Sequence, residues 1–393
     1  MIDYTTKSYG RNQEVRAIYK LFSDGRDVAM PGPRRLGKTF VLDRLVEAAP
    51  TQGWQAVKAE VSGYRDVRAV FRALCEQISR QRSRPAQVRS WVTQRLGQVV
   101  SPRSDHSGPW SQFLLKLDHE DWFERQIKVM NDDTEQRWLL LIDELPIFLK
   151  SLHDQGPDGV AQARDFMNQI SRLRQAAPRV RWLITGSIGI EPLARAGQYL
   201  GVLAKFHLFE LEPLSDEQAR DFVQDLARSG QLAQRSRISD AEAKAIVDQV
   251  GWRAAYYLDA VAQKLAGDPS DDPQTAAKHV QTAVDQLLDP RQGATFGTWE
   301  EHLRKHYHDA DRGVAFAALG ALSPHSQGLS IDTLLAAIGV PALTRGQLQT
   351  LLSRLHTEGF ITLQDWSTSD PSCAFRNPLL RRWWHRFPPQ PTA

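Results

Sequence analysis

The sequence predicts an α/β fold in which a parallel sheet has helices on both faces, followed by a helical segment and a small C-terminal unit. As far as residue 213, short apolar runs typical of strands alternate with segments of helical periodicity, which is the rhythm of a parallel sheet with crossover helices. From Ser215 onward the periodicity is helical alone until a Gly- and Pro-containing loop near residue 290. These two observations separate a sheet-containing part of the chain from a helical part.

Apolar runs account for the strands of the predicted sheet. The run at 138–142 contains no polar residue, as in a strand that is buried on both faces. Further strands are predicted at 28–30, 53–61, 180–185 and 206–211, and the helices of this part at 12–22, 39–49, 65–81 and 159–176.

Residues 83–134 interrupt this alternation. The stretch carries Pro85, Pro102 and Pro109 among mixed polar and aromatic residues, which predicts an insertion with short helices. We therefore expect three domains, namely a sheet domain at 1–213 with this insertion, a helical lid at 214–292 and a C-terminal domain at 293–393.

The C-terminal domain has its own pattern. An apolar helix is predicted at 315–322, and Ser330 and Thr344 stand where N-caps of two further helices are expected. Two short strands at 360–363 and 372–375 follow, joined by a polar turn. Three helices followed by a hairpin are typical of a winged helix, a helix-turn-helix variant.

Composition bounds the possible functions. The chain has 393 residues with 49 Lys and Arg against 46 Asp and Glu, a net charge of +3, so a nucleic-acid site would have to be a local patch. The two cysteines, Cys75 and Cys373, have no partner motif, which favours neither a zinc site nor a disulfide framework. Because no apolar run approaches about 20 residues and the N-terminus does not resemble a signal peptide, we expect a cytoplasmic protein without a membrane segment.

The strongest motif is GPRRLGKT at 32–39, which fits G-x-x-x-x-G-K-[ST] at every fixed position. In such a phosphate loop the backbone amides hold phosphate oxygens and the following helix adds its positive N-terminal end. Lys38 is expected to reach the β and γ phosphates and Thr39 to coordinate Mg²⁺. A chance match in an ordinary turn is the alternative, which the strand before the motif and the helix after it disfavour. Nucleotide binding is assigned to Gly32, Pro33, Arg34, Arg35, Leu36, Gly37, Lys38, Thr39 and Phe40.

A second motif ends the apolar run at 138–142 with two carboxylates, Asp143 and Glu144. Asp143 stands where it can hold Mg²⁺ through its water shell, and Glu144 where it can act as general base toward a water that attacks the γ phosphate. The alternative is a strand that happens to end in solvent-facing acidic residues.

A third element, Thr185-Gly186-Ser187, ends the predicted strand at 180–185. A polar side chain here can position the attacking water or sense the γ phosphate. Thr185 is the preferred catalytic candidate and Ser187 the second, and a plain strand-end turn is the alternative.

These motifs together resemble the archaeal-type ATPase family, a branch of the AAA+ and STAND-type P-loop ATPases that is similar to origin-recognition ATPases. The segments that carry the resemblance are GPRRLGKT, the DEL after the second motif, TGS, LEPLSDEQA, the upstream YGRNQEV and the C-terminal AFRNPLLRRWW. The resemblance covers about the whole chain apart from the stretch at 83–134. It implies ATP with Mg²⁺ as the cofactors, and it implies that Gly10 and Arg11 lie near the adenine.

The sequence departs from the family pattern at two places. Lys205 stands where related ATPases often carry an arginine that reaches a neighbouring subunit, and Arg195 is the nearest alternative. A lysine lacks the guanidinium fork, which argues against a ring-forming motor. Ala254 replaces the proline of a turn near the base, and Arg253 beside it is either a lid-borne sensor of the γ phosphate or an exposed helix-start arginine.

The C-terminal domain leaves its partner open. The predicted recognition helix offers only Arg345 and Arg354 as cations, whereas DNA recognition normally uses several. The segment 376–386 interleaves four arginines with two tryptophans, which fits either binding of a nucleic-acid backbone with stacking on the bases or a C-terminal helix that packs its tryptophans on the wing. His302, His306 and His308 are close in sequence, and a solvated helix face is favoured over a metal site.

The leading hypothesis is an ATP-hydrolysing switch whose winged helix engages DNA or a protein partner, which includes a second copy of the chain. The alternative is a DNA-binding regulator in which ATP is mainly structural.

Overall fold

The computed structural model describes residues 11–81, 119–289, 291, 294–367 and 371–389. The chain divides into two compact units. The sheet unit comprises Gln13–Pro31 and Lys38–Glu210, and the helical unit comprises Met1–Asn12, Gly32–Gly37 and Leu211–Ala393.

Within the described part of the sheet unit, a parallel sheet has the strand order β2-β3-β4-β1-β5. The crossover order follows from helices that connect successive parallel strands, as the sequence predicted. The register places Pro31 opposite Gly186 and Ile142 opposite Ile184. The strands are β1 (Val28–Pro31), β2 (Trp54–Glu60), β3 (Arg137–Asp143), β4 (Val180–Gly186) and β5 (His207–Leu208).

Both faces of this sheet are buried by apolar side chains. Leu140 and Ile142 of β3 belong to a core cluster with helices α3 to α6, and the intervening Leu139 and Leu141, which are also buried, point to the opposite face. The helices of the unit are α1 (Asn12–Ser23), α2 (Lys38–Ala48), α3 (Val67–Gln81), α4 (His119–Asp132), α5 (Leu145–His153), α6 (Pro157–Ala176), α7 (Ile190–Ala196) and α8 (Leu200–Leu203).

Two predictions for this unit were wrong. Strand β5 contains His207–Leu208 rather than 206–211, because the next ladder bond would need an N–H at Pro31, which proline lacks. Residues 119–132 form the single long helix α4, which buries Phe123, Ile127 and Met130, instead of short helices. The rest of the predicted insertion, 83–118, lies outside the described residues.

The described part of the helical unit ends in a group of helices and an antiparallel sheet with the order β6-β8-β7. Ser215, Ser239 and Thr344 each form a capping box that fixes a helix start. The sequence predicted β7 and β8 but not the short strand β6. The helices are α9 (Asp216–Arg228), α10 (Asp240–Val250), α11 (Ala255–Ala262), α12 (Pro273–Leu287), α13 (Ala294–His306), α14 (Asp309–Leu322), α15 (Ile331–Ile338), α16 (Arg345–Glu358) and α17 (Pro378–Arg386), and the strands are β6 (Leu329–Ser330), β7 (Ile361–Gln364) and β8 (Ser372–Phe375).

Within the described ranges, no helix is both long and apolar enough to cross a membrane. Cys75 and Cys373 are both buried free thiols, and burial raises the pKa of each to about 12.

Candidate functional site

Three predicted motifs begin at the carboxyl ends of neighbouring strands of the sheet unit. The chain enters the loop Gly32–Gly37 directly after β1, the acidic pair ends β3, and Thr185-Gly186-Ser187 ends β4. The order β3-β4-β1 places these three strand ends side by side. In open α/β sheets, this is the edge at which ligands bind.

Asp143 is the centre of the polar contacts at this edge. The Thr39 hydroxyl donates to its Oδ2 at 3.0 Å, and the Thr185 hydroxyl donates to its Oδ1. Asp143 is 2% exposed, so these donors satisfy its side-chain oxygens in place of bulk water. A hydroxyl and a carboxylate are the hard oxygen ligands that suit Mg²⁺. The donor set therefore fits the metal that the motifs imply.

Glu144 has a backbone conformation that is unusual for a non-glycine residue, with φ 57° and ψ 34°. Its Oε2 accepts hydrogen bonds from the backbone amide and the hydroxyl of Ser187, each at 2.9 Å. Its own amide donates to the Thr185 hydroxyl oxygen at 3.4 Å. The carboxylate is thus held over the end of β4 by Ser187, while Thr185 contacts Asp143.

The position between Thr185 and Ser187 requires a glycine, Gly186. A Cβ at this position would lie 2.3 Å from Pro146 Cγ, in the first turn of α5. Only a residue without a side chain lets β4 approach the start of α5 this closely.

The phosphate loop contains two left-handed residues, Arg35 at φ 69° and Gly37 at φ 99°. Such turns direct successive amides to one side, which is the geometry of an anion-binding loop. Lys38, which begins α2, is 5% exposed, and Phe40 lies in the first turn of the same helix.

Arg11 holds the loop within the helical unit. Its buried guanidinium donates to the backbone carbonyls of Leu36 at 3.2 Å and Glu212 at 2.8 Å. Arg11 thus connects the backbone of the loop to the backbone of the segment before α9. Gly10, predicted beside it near the adenine, lies outside the described residues.

The two loop arginines contact residues that the sequence did not connect with the loop. Arg34 Nη1 lies 3.1 Å from Nδ1 of His302, and Arg35 Nη2 donates to the Thr298 hydroxyl at 3.3 Å. The Arg35 guanidinium also lies 3.9 Å from the centre of the Tyr256 ring. Thr298 and His302 are one helical turn apart in α13, a spacing that the sequence contains but that does not reveal the partner.

Lys205 and Arg195, considered as groups that could reach a neighbouring subunit, and Arg253, considered as a γ-phosphate sensor, all contact nearby residues. Lys205 Nζ donates to the Ser171 hydroxyl at 3.3 Å, and Arg195 pairs with Glu191 in its own helix. Arg253 donates to the Leu214 carbonyl at 2.7 Å and pairs with Asp216.

The predicted nucleic-acid segment at the C-terminus is helix α17. Trp383 and Trp384 are 6% and 1% exposed, so the packed alternative describes them and their faces are not accessible to bases. Arg381 donates to the Ser323 carbonyl, and Arg382 contacts Gln249.

The prediction of a solvated histidine face was wrong for His302 and His306, which are 1% and 7% exposed. His302 Nε2 lies 2.8 Å from the Glu358 carboxylate, which draws the ring inward. Among the described residues, no group of three His, Cys, Asp or Glu side chains could hold a metal ion.

Comparison with solved structures identifies the fold. The Walker-type ATPase PABY2304 of Pyrococcus abyssi superposes with a TM-score of 0.64 at 15% identity, over 96% of this chain and 95% of that one. The chain has the fold of the Walker-type ATPases. The ORC2 protein of Aeropyrum pernix, solved as ADPNP–ADP complexes, superposes with a TM-score of 0.55 at 12% identity, over 96% of this chain and 93% of that one. The predicted α/β fold class and the resemblance to archaeal ATPases are thereby confirmed.

No protein-family profile and no curated protein matches the sequence of this Walker-type fold. The structural likeness therefore gives the architecture, and the activity has to be argued from the residues.

Proposed function

We propose that the protein binds ATP with Mg²⁺ and hydrolyses it slowly, as a nucleotide-dependent switch. The observation that carries the proposal is the contact between Thr39 of the phosphate loop motif and Asp143 at the end of β3, 3.0 Å apart. Residues separated by 104 positions are brought together in the pairing that a P-loop ATPase needs for its metal.

Each part of the triphosphate has a partner in this arrangement. The amides of the loop and the N-terminus of α2 would hold the phosphates, and Lys38 would contact the β and γ phosphates. Thr39 and Asp143 would hold Mg²⁺, which when bound neutralises charge on the phosphates. Thr185 keeps Asp143 oriented through its hydroxyl.

Hydrolysis requires a base beside the γ phosphate. We assign this role to Glu144, which takes a proton from water as the water oxygen bonds to the γ phosphorus. The bond from that phosphorus to the bridging oxygen breaks, and ADP and inorganic phosphate are released. Ser187 is a positioning residue that orients the carboxylate through two donors. Because a nucleotide-dependent switch needs little turnover, we expect hydrolysis to be slow.

The output is assigned to the C-terminal segment, where the order of helices α14 to α16 and strands β7 and β8 supports the proposal of a winged helix. We propose a protein rather than DNA as its partner. Arg345 pairs with Asp332, Arg354 with Glu358, and Arg382 and Arg386 with Asp285. Neighbouring carboxylates thus reduce the net positive charge of this surface, and it is positive charge that draws a protein to the phosphates of DNA. Salt-dependent binding of duplex DNA, measured by fluorescence anisotropy, would contradict this choice.

The test of the ATPase compares the wild type with Lys38→Ala and Glu144→Gln. Isothermal titration should show ATP binding weakened by at least about tenfold in Lys38→Ala, because a charge-assisted phosphate contact is lost. Glu144→Gln should retain binding while phosphate release falls by about a hundredfold or more.

Lys244→Ala is the matched control, since Lys244 forms an exposed pair with Asp248 on α10. It should behave as the wild type in both assays. If Glu144→Gln hydrolyses ATP at the wild-type rate, the assignment of the base is wrong.

A further inference from the structure

We propose that Arg34 and Arg35 latch the phosphate loop to helix α13, and that the phosphates of a bound nucleoside triphosphate compete with that helix for the two guanidinium groups. The inference rests on the proposed binding of ATP and adds to it the route by which the loop is connected to the C-terminal segment. Four residues define the loop–helix latch: Arg34, Arg35, Thr298 and His302.

The latch has three contacts on one face of α13. Arg34 Nη1 lies 3.1 Å from Nδ1 of His302, and Arg35 Nη2 donates to the Thr298 hydroxyl at 3.3 Å. Arg34 Nη1 also donates to the Thr298 carbonyl at the longer distance of 3.5 Å. Residues four apart in a helix lie on the same side, so both arginines meet the same stripe of α13. The two shorter contacts are between side chains, and either can be removed without changing the loop sequence.

The bonding of His302 fixes its tautomer. An arginine guanidinium can only donate, so Nδ1 of His302 accepts from Arg34 and Nε2 carries the hydrogen. That hydrogen is donated to Oε2 of Glu358 at 2.8 Å. His302 is thus a neutral bridge between a cation on the loop and a carboxylate at the end of α16.

Glu358 carries the connection into α16. Burial raises the pKa of its carboxyl, but the hydrogen bond from His302 and the guanidinium of Arg354 together hold the pKa below its ordinary value. The group is therefore a buried carboxylate that accepts from His302, from Arg354 at 3.0 Å and from the Tyr307 hydroxyl at 2.9 Å. If one of these donors moves away, the buried carboxylate loses part of its compensation. We therefore expect Glu358 to move with it.

The phosphate loop and the end of α16 also lie close together at a second point. Gly359, the C-cap of α16, has φ 93°, and a Cβ there would lie 2.3 Å from Pro33 Cβ. The loop and the end of α16 are therefore in contact through Pro33 as well as through His302. A shift of one must be accommodated by the other, because packed protein interiors leave little free space.

Competition follows from the chemistry of the partners. A guanidinium binds phosphate oxygens through charge-assisted and often bidentate hydrogen bonds. In the latch the same groups are bonded to a neutral imidazole nitrogen, a hydroxyl and, at 3.5 Å, a backbone carbonyl, which are all weaker acceptors than a phosphate. If the two sets of contacts exclude each other, a change that weakens the latch strengthens triphosphate binding, by at most the same factor.

The test removes the α13 side of the latch, leaving the loop sequence unchanged. The dissociation constants of a non-hydrolysable ATP analogue and of ADP are measured for the wild type, Thr298→Val and His302→Ala. We expect His302→Ala to bind the triphosphate about tenfold more tightly and Thr298→Val about threefold more tightly. His302→Gln, which keeps one acceptor and one donor, should bind as the wild type. His325→Ala is the control, because His325 is an exposed histidine outside the latch.

A merely structural role for His302 predicts the opposite sign, namely weaker binding. If His302→Ala lowers the melting temperature strongly, the half-buried Thr298 decides the question through Thr298→Val alone. Unchanged or weaker triphosphate binding in a folded Thr298→Val would overturn the latch. If instead the wild type binds no ATP, the proposed function falls together with the latch, so the two failures are distinguishable.

Hydrogen exchange supplies a second readout. In the wild type, the ATP analogue should accelerate amide exchange in α13 relative to ADP, because the helix loses its contacts with the two arginines. In Thr298→Val combined with His302→Ala, exchange in α13 should be fast with either nucleotide. Nucleotide-dependent exchange that persists unchanged in this double variant would overturn the latch.

Discussion

The hydroxyl and the backbone amide of Ser187 both donate to Oε2 of Glu144, each at 2.9 Å. Ser187→Ala removes one of these two donors and leaves the backbone bond. We expect kcat for ATP hydrolysis to fall about tenfold with little change in ATP affinity, because small errors in the position of a base reduce rates strongly. The measurement is steady-state phosphate release over a range of ATP concentrations.

Non-additivity separates a positioning role of Ser187 from a general loss of structure. If Ser187 acts through Glu144, adding Ser187→Ala to Glu144→Gln should cause no further decrease in turnover. Ser187→Thr keeps the hydroxyl and should retain most of the activity. An additive loss in the double variant would show that Ser187 acts by another route.

Thr39 and Asp143 predict the metal dependence of the protein. Thr39→Ala and Asp143→Asn should each raise the Mg²⁺ concentration needed for half-maximal ATPase activity by about tenfold or more, because each removes a hard oxygen ligand. Thr39→Ser retains the hydroxyl and is the matched control. Activity that survives an excess of EDTA at the wild-type level would contradict the assignment of the pair to Mg²⁺.

Arg11 predicts an effect on both stability and binding. In Arg11→Ala, the carbonyl of the buried residue Leu36 loses the hydrogen bond that it accepts from the guanidinium. Loss of a charged hydrogen bond at such a site costs about 2 kcal/mol of unfolding free energy. We also expect weaker ATP binding, because Leu36 of the loop is no longer held. Denaturant unfolding and isothermal titration measure the two effects, and Arg16→Ala, at an exposed position of α1, serves as the control.

The sequence was informative where the signal is local. The phosphate loop and the acidic pair are contiguous patterns, and the strands and helices around them follow from periodicity, so the fold class was predictable. Strand β5 was predicted too long because its end depends on Pro31 of a different strand. The partner of Arg34 was beyond local reasoning, since His302 is 268 positions away. The contacts of His302 with Glu358 and Arg34 likewise explain why this histidine of α13 is buried rather than solvated.

The buried carboxylate of Glu358 predicts how stability depends on pH. Its pKa in the folded protein lies below the ordinary value of 4.5. A depressed pKa contributes stability that is fully present above the unfolded value and is lost as the pH falls through the folded value. We therefore expect the unfolding free energy of the wild type to decrease more steeply below about pH 4.5 than that of Glu358→Gln. Equal slopes in denaturant titrations at pH 5, 4 and 3 would contradict the assignment of a charged Glu358.

The two glycines of helix α16, Gly346 in its first turn and Gly359 at its C-cap, should respond oppositely to alanine substitution. Gly359 has φ 93° and its Cβ position is filled by Pro33, whereas Gly346 lies inside α16 with nothing within 4 Å of its Cβ position. Gly359→Ala combines left-handed backbone strain of about 1–2 kcal/mol with an overpacking cost of similar size. Gly346→Ala should instead stabilise the protein by about 0.5–1 kcal/mol, because alanine is the better helix former.

Since Pro33 belongs to the phosphate loop, Gly359→Ala should also weaken ATP binding, and Gly346→Ala should not. Chemical denaturation gives the first comparison and isothermal titration the second. Equal ATP affinity in the two variants would mean that the contact between Pro33 and Gly359 does not shape the loop.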